Sequence, residues 1–228
     1  MNDPIGYIKS RHFDQLVCRH LLPAEAKLAS RRNDFDGTDI ICGREKIDTK
    51  YQLNKGSDDF VWFAVGRQCK DGERVKFKSG SSCSLKTDRF MVFFYASLEK
   101  LEWIDTYAIE ILDVLERGLA ERDSSICCES VSKNAKHDEN GHVYYDILCW
   151  AKLSWLRDAC PEAFKICTDK KTAESFVKVQ RYFNEKIDSS PKTVDKFIEC
   201  ISSFVDNGQT LDIALENVLM KMDGLADL

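Results

Sequence analysis

The sequence predicts an α/β protein, a mixed central sheet flanked by helices and followed by a helical C-terminal portion. Three observations carry this. Two uninterrupted apolar runs of strand length, residues 60–65 and 90–95, have the character of strands covered on both faces. A pair of short β-branched runs between Thr38 and Leu53 is divided by Gly43-Arg44-Glu45, as in a hairpin. Apolar residues at mostly helical spacing open the chain and return from about Lys152 onward.

In chain order, Phe13, Leu16, Val17, Leu21 and Leu28 mark a helical first thirty residues, with Pro23 set to kink the run or open a second short helix. Asn33-Asp34-Phe35-Asp36-Gly37 is turn chemistry, and the hairpin follows it. Between the two apolar runs lies a Lys-rich segment, expected to be a loop. Asp105 is the expected N-cap of a helix whose apolar stripe is Ile104, Ala108, Ile111, Leu112, Leu115 and Leu119. Asn140-Gly141 precedes a further strand over His142 to Leu148. Beyond Lys152 the pattern is nearly all helix, punctuated by Cys160-Pro161, Ser190-Pro191 and Asn207-Gly208. The division expected is a core over 1–150 and a helical subdomain over 151–228 packed on it, together one domain.

The composition of the 228 residues, 43% hydrophobic and 31% charged with 11 Gly and 4 Pro, excludes collagenous and disordered classes. No window approaches the roughly 18 apolar residues of a membrane span, and Met1-Asn2-Asp3-Pro4 lacks the basic-then-apolar run of a secretory signal, so a cytoplasmic protein without membrane contact is expected. Ten scattered cysteines then read as reduced and mostly structural. No nucleotide-binding glycine loop or nucleophile elbow is present. The net charge of −5 conceals a basic stretch: residues 66–89 hold seven basic side chains against three acids.

The chemistry concentrates in the hairpin. With Gly43 and Arg44 at the centre of a type II′ turn, Cys42 pairs with Glu45, Ile41 with Lys46 and Ile40 with Ile47. Asp39 then falls opposite Asp48 on one face, and Lys50 and Gln52 follow at the strand period of two. Like charges placed across a ladder destabilise it, so a structural hairpin has little reason to hold this pair. A hard divalent cation removes the conflict, since Mg²⁺ takes one or two carboxylates and completes its shell with water or phosphate oxygens. The adjacent lysine can then act on a water and on the phosphate.

An acid on one strand and Asp48-Thr49-Lys50 on the next, behind a helix, resembles the PD-(D/E)xK nuclease superfamily, most closely a type II restriction endonuclease. The resemblance implies a restriction-endonuclease-like core, a Mg²⁺-dependent endonuclease cutting double-stranded DNA at a specific site, and a homodimer matched to a palindrome. It gives Asp39 and Asp48 as metal ligands and Lys50 as the residue acting on the nucleophilic water. Thr38 stands where the family name has proline, and Asp36 competes with Asp39 for the first role. A carboxylate that some members add from the first helix would be Glu25, ahead of Asp14. Arg31, Arg32, Lys70, Arg74, Lys76, Lys78 and Lys86 would contact phosphates, and Gln52 a phosphate or base. The same chemistry on branched or damaged DNA, as in a resolvase or repair nuclease, and a non-catalytic interaction module are the alternatives. Trp62, Trp103, Trp150 and Trp155 are expected in the core. Adjacent Cys127 and Cys128 with His137 and His142 do not have zinc-site spacing.

Overall fold

The computed structural model describes residues 4–29, 38–52, 60–77, 87–133, 135–137 and 141–182. Chain order is α1 (Pro4–His20), β1 (Lys27–Leu28), β2 (Ile40–Cys42), β3 (Glu45–Tyr51), β4 (Phe60–Cys69), β5 (Arg74–Lys76), β6 (Arg89–Phe93) and β7 (Leu101–Tyr107). There follow α2 (Ala108–Ala120), β8 (Ile126–Val131), β9 (Lys136–His137), β10 (Val143–Lys152), α3 (Leu153–Ala159), a 3₁₀ turn (Pro161–Ala163), β11 (Phe164–Cys167) and α4 (Lys170–Tyr182). The fold is α/β.

The strands form two sheets. The first runs β1-β2-β3-β6-β7-β11 and is mixed, with β3 and β6 parallel and every other neighbour antiparallel. The second is antiparallel, in the order β5-β4-β10-β8, with β9 paired to β10. The two apolar runs therefore part company. Phe90 through Phe94 is buried on both faces at the centre of the first sheet. The Phe60 run lies in the second sheet, where Val61, Phe63 and Val65 enter the core while Trp62 between them stays 41% exposed.

Strand alternation distributes the core over both faces of the first sheet. Met91 and Phe93 of β6 pack with Ile40 and Ile47 against Phe13, Leu16 and Val17 of α1 and Phe176 and Val177 of α4. Phe90 and Val92 face the other way, toward β4, β10, α2 and α3. Phe13 locks the first cluster: its ring lies 4.4 Å from that of Tyr51 and 5.0 Å from those of Phe93 and Phe176.

Several expected elements differ. The helical reading near Pro23 gives way to a turn and β1, so Leu28 is a strand residue. The basic stretch is not a loop throughout: β4 continues to Cys69 and turns back into β5. Asp105 lies inside β7, its carboxylate held by Arg89 at 2.5 and 2.6 Å, and Tyr107 takes the N-cap position of α2. Beyond Lys152, β11 interrupts the helices and joins the first sheet, and α4 shares the α1 cluster. The remainder of the expected helical portion, residues 183–228, lies outside the described residues. Six cysteines, Cys18, Cys42, Cys69, Cys149, Cys160 and Cys167, are free thiols. Among the described residues no helix is long and apolar enough to cross a membrane.

Candidate active site

The hairpin has the register the sequence predicts: Ile40 pairs with Ile47, Ile41 with Lys46 and Cys42 with Glu45. Gly43 has φ of 60°, and Arg122 is the single non-glycine residue at positive φ among the described residues, so Arg44 turns at negative φ as a type II′ turn requires. Across the parallel ladder Asp48 stands beside Phe90 and Lys50 beside Val92, which aims both side chains toward the second sheet.

Beyond Ile40 the ladder ends in a side chain. Asp39 N–H still donates to the Ile47 carbonyl at 2.9 Å, but the amide of Thr49 donates to Asp39 Oδ2 at 2.7 Å. The carboxylate of Asp39 is thus held in place by β3. Helix α1 secures the same point from behind. Arg11, fully buried, donates through Nη2 to the Ala29 carbonyl at 2.8 Å and through Nη1 to the Asp39 carbonyl at 3.3 Å. One turn along, buried Asp14 accepts the Thr49 hydroxyl at 2.5 Å, and that hydroxyl oxygen lies 3.2 Å from Asp39 Oδ2. A threonine hydroxyl carries one proton, so the shorter contact takes it.

Lys50 Nζ donates to both carboxylate oxygens of Asp48, at 2.6 and 2.8 Å. Burial pushes the Asp48 carboxyl up to about 7; the Lys50 ammonium opposes the rise, and the Asp39 carboxylate, in hydrogen-bonding contact, adds to it. Two acids in one small site with a single lysine leave the second acid to be balanced by a proton, which Asp48 takes up below about 7, or by a cation. That is the donor set a hard cation completes, with water or phosphate oxygens filling the remaining positions.

These side chains line a cleft of about 490 Å³ between the sheets. Asp39, Asp48, Thr49 and Lys50 form one wall; Trp62, Arg67, Phe77, Lys136, Tyr144 and Asp146 belong to the other.

Of the expected site residues, Asp39, Asp48 and Lys50 are brought together. Glu25 is not: it stands exposed in the turn after α1, at the closed end of the hairpin, where burial first and then Glu25 and Glu45 push the Cys42 thiol up. Asp14 is the α1 acid that reaches the site. Gln52 is buried just past β3, its N–H donating to the Phe93 carbonyl at 3.3 Å, and does not line the cleft. Lys70, Arg74 and Lys76 are exposed on the β4–β5 hairpin, with Arg74 donating to Gln68 at 2.8 Å. Arg31, Arg32, Asp36, Lys78 and Lys86 lie outside the described residues.

Sequence reasoning gives no site role to Thr49 or to most of the second wall: Trp62 is expected in the core but is 41% exposed, and Arg67 counts only within the basic stretch 66–89. Thr49 carried a signal, since it stands between two candidate residues. Nothing local marks Arg67 or Lys136, which reach the cleft through nonlocal pairing of β4, β9 and β10. Among the described residues the one group of three potential metal ligands within 4.8 Å of one another is elsewhere, Cys69, Asp71 and Glu73 at the exposed β4–β5 turn. Comparison of the chain with protein families, with curated proteins and with solved structures finds no match.

Proposed function

We propose that the protein is a divalent-cation-dependent DNA nuclease that hydrolyses phosphodiester bonds in the cleft between its sheets. The observation that supports it above all is the gathering of Asp39, Asp48 and Lys50 on one wall of that cleft, with the two carboxylates in contact. Burying Asp48 beside the half-buried Asp39 has a stability cost, and burial first, with Asp39 adding to it, pushes the Asp48 carboxyl up to about 7, so the arrangement fits a ligand site better than a folding element. Asp39 and Asp48 would hold the cation, Mg²⁺ by resemblance, which supplies Lewis-acid charge against the phosphate oxygens.

The chain's own residues do the rest. Asp39 is oriented by the Thr49 amide and by Arg11 on its main chain, so one carboxylate is fixed before anything binds. Lys50 carries a charged donor within reach of the same point, suited to orient the attacking water and to stabilise charge on a non-bridging phosphate oxygen as one P–O bond forms and another breaks. The Thr49 hydroxyl and Asp14 brace this set from the α1 side. Sequence-specific cutting of duplex DNA by a homodimer is the narrower form implied by the likeness to type II restriction enzymes. Processing of branched or damaged DNA is the other form.

Purified protein incubated with mixed-sequence DNA, linear and branched, in Mg²⁺ or in EDTA tests the proposal. Cleavage in Mg²⁺ alone is expected, and Asp48→Asn and Lys50→Ala should each lower it by about 100-fold or more while circular dichroism stays native. Undiminished cleavage in both variants, or no cleavage of any DNA form by the wild type, overturns it.

A further inference from the structure

The second wall of the cleft has a chemistry of its own. Trp62 lines the cleft and is 41% exposed, with the Lys50 ammonium 4.4 Å from the centre of its ring. Deeper along the same strand, the Arg67 guanidinium lies 4.3 Å from the Tyr144 ring and 5.5 Å from that of Phe77. Asp146 stands across the ladder from Arg67, but its carboxylate is taken by Lys136 at 2.7 Å. Among the described residues Arg67 therefore makes no ion pair, and its buried Nε has no hydrogen-bond partner. Stacking occupies the faces of the guanidinium and burial closes off Nε, which leaves the terminal Nη donors for a phosphate. An exposed indole five residues back on the same strand, on the order of 15 Å away, offers what any unstacked base accepts, because every base has a π face.

Stacking selects between strands. A cleft of about 490 Å³ is in the range that encloses a molecule the size of a nucleotide. A base inside a duplex has both faces covered by its neighbours, so an indole stacks only on a base that has left the helix. We infer that the β4–β10 wall binds an unpaired strand, Trp62 stacking a base beside the phosphate at Asp39, Asp48 and Lys50 and Arg67 holding a phosphate further along the strand, so that the substrate enters the cleft single-stranded. The inference rests on the nuclease reading for the identity of its polymer and narrows that reading to single-stranded DNA or to duplex opened at an end, flap or lesion.

The test is fluorescence anisotropy with a labelled oligodeoxynucleotide, single-stranded or annealed as a blunt duplex, with Ca²⁺ in place of Mg²⁺ so that binding is read without turnover. The single strand should bind more tightly. Trp62→Ala should weaken that binding by about 5- to 100-fold and Trp62→Phe should preserve most of it. Arg67→Ala should weaken it as well and flatten the dependence of log K on log salt by about 0.7, one phosphate contact on a single strand. Equal affinity for the two forms, or wild-type affinity for the single strand in both alanine variants, overturns the inference. Failure of the nuclease reading registers separately, as absence of Mg²⁺-dependent cleavage of either form by the wild type. Single-strand binding that depends on Trp62 and Arg67 would still support the wall as assigned.

Discussion

Asp48 is the residue on which the site's electrostatics turn. Its carboxyl is pushed up to about 7 by burial and by Asp39, against the pull of Lys50, so in cation-free protein the folded state holds a proton that the unfolded chain releases near 3.8. The stability associated with that proton is fully present below the unfolded value and is lost as pH rises through about 7. His12 acts in the opposite sense: burial holds its imidazole down at about 4, so its contribution is present above the ordinary 6.5 and is lost as pH falls toward 4. Comparison with Asp48→Asn separates the two, because the variant retains His12. In EDTA, urea unfolding should show the variant gaining on the wild type between pH 5 and pH 8, by on the order of 1 kcal/mol per pH unit at the steepest. A difference that stays flat across that window would mean that Asp48 ionises normally. At this scale the sequence was legible where residues are tied by local register, as Asp39, Asp48 and Lys50 are. It misled at Glu25, because α1 ends at His20 and leaves Glu25 in a turn, while Asp14, a turn and a half back from that end, has the inward position.

The β2–β3 hairpin is the element that converts sequence into site, and its turn is where it is most exposed to damage. Gly43 at φ 60° has nothing within 4 Å of where a Cβ would stand, so a side chain there meets backbone strain alone. Gly72, at φ 92° in the β4–β5 turn, is equally open and serves as a matched control. Gly43→Ala and Gly72→Ala should each cost about 1–2 kcal/mol in chemical unfolding. Only the first should also lower cleavage, since it disturbs the register that sets Asp39 against Asp48; equal losses in the two variants would show that the turn contributes stability and nothing more. The hairpin was legible because turn chemistry and alternation are both local. The partition of strands into two sheets was not, because it depends on which distant strand wins each edge. β7 was concealed by its fusion to α2, whose helical stripe absorbed Ile104, and β11 is a four-residue strand between helices, too short for its alternation to stand out.

At the scale of the whole molecule, two sheets that share one core cluster leave a cleft where the carboxylates of the first face the aromatic and basic side chains of the second. Two gatherings of potential metal ligands result, the Asp39–Asp48 pair in the cleft and Cys69, Asp71 and Glu73 on the exposed turn of the second sheet. They differ in what a hard cation would find. The turn offers a thiol, a poor partner for Mg²⁺ or Ca²⁺, and acids that solvent already stabilises. The cleft offers oxygen ligands alone, where buried Asp48 beside half-buried Asp39 has only a proton to balance it when no cation is bound. A cation that binds the folded state stabilises it by mass action, about 2.7 kcal/mol at a hundred times its dissociation constant. Addition of Ca²⁺ should therefore raise Tm by several degrees in the wild type and in Glu73→Gln, and by nothing measurable in Asp48→Asn. The rise should be larger at pH 8 than at pH 6, because near pH 6 protons compete with the cation for a carboxyl whose pKa is about 7. If Glu73→Gln abolishes the shift and Asp48→Asn leaves it intact, the cation belongs to the turn, and the cleft loses the charge balance on which phosphodiester chemistry at Asp39 and Asp48 depends.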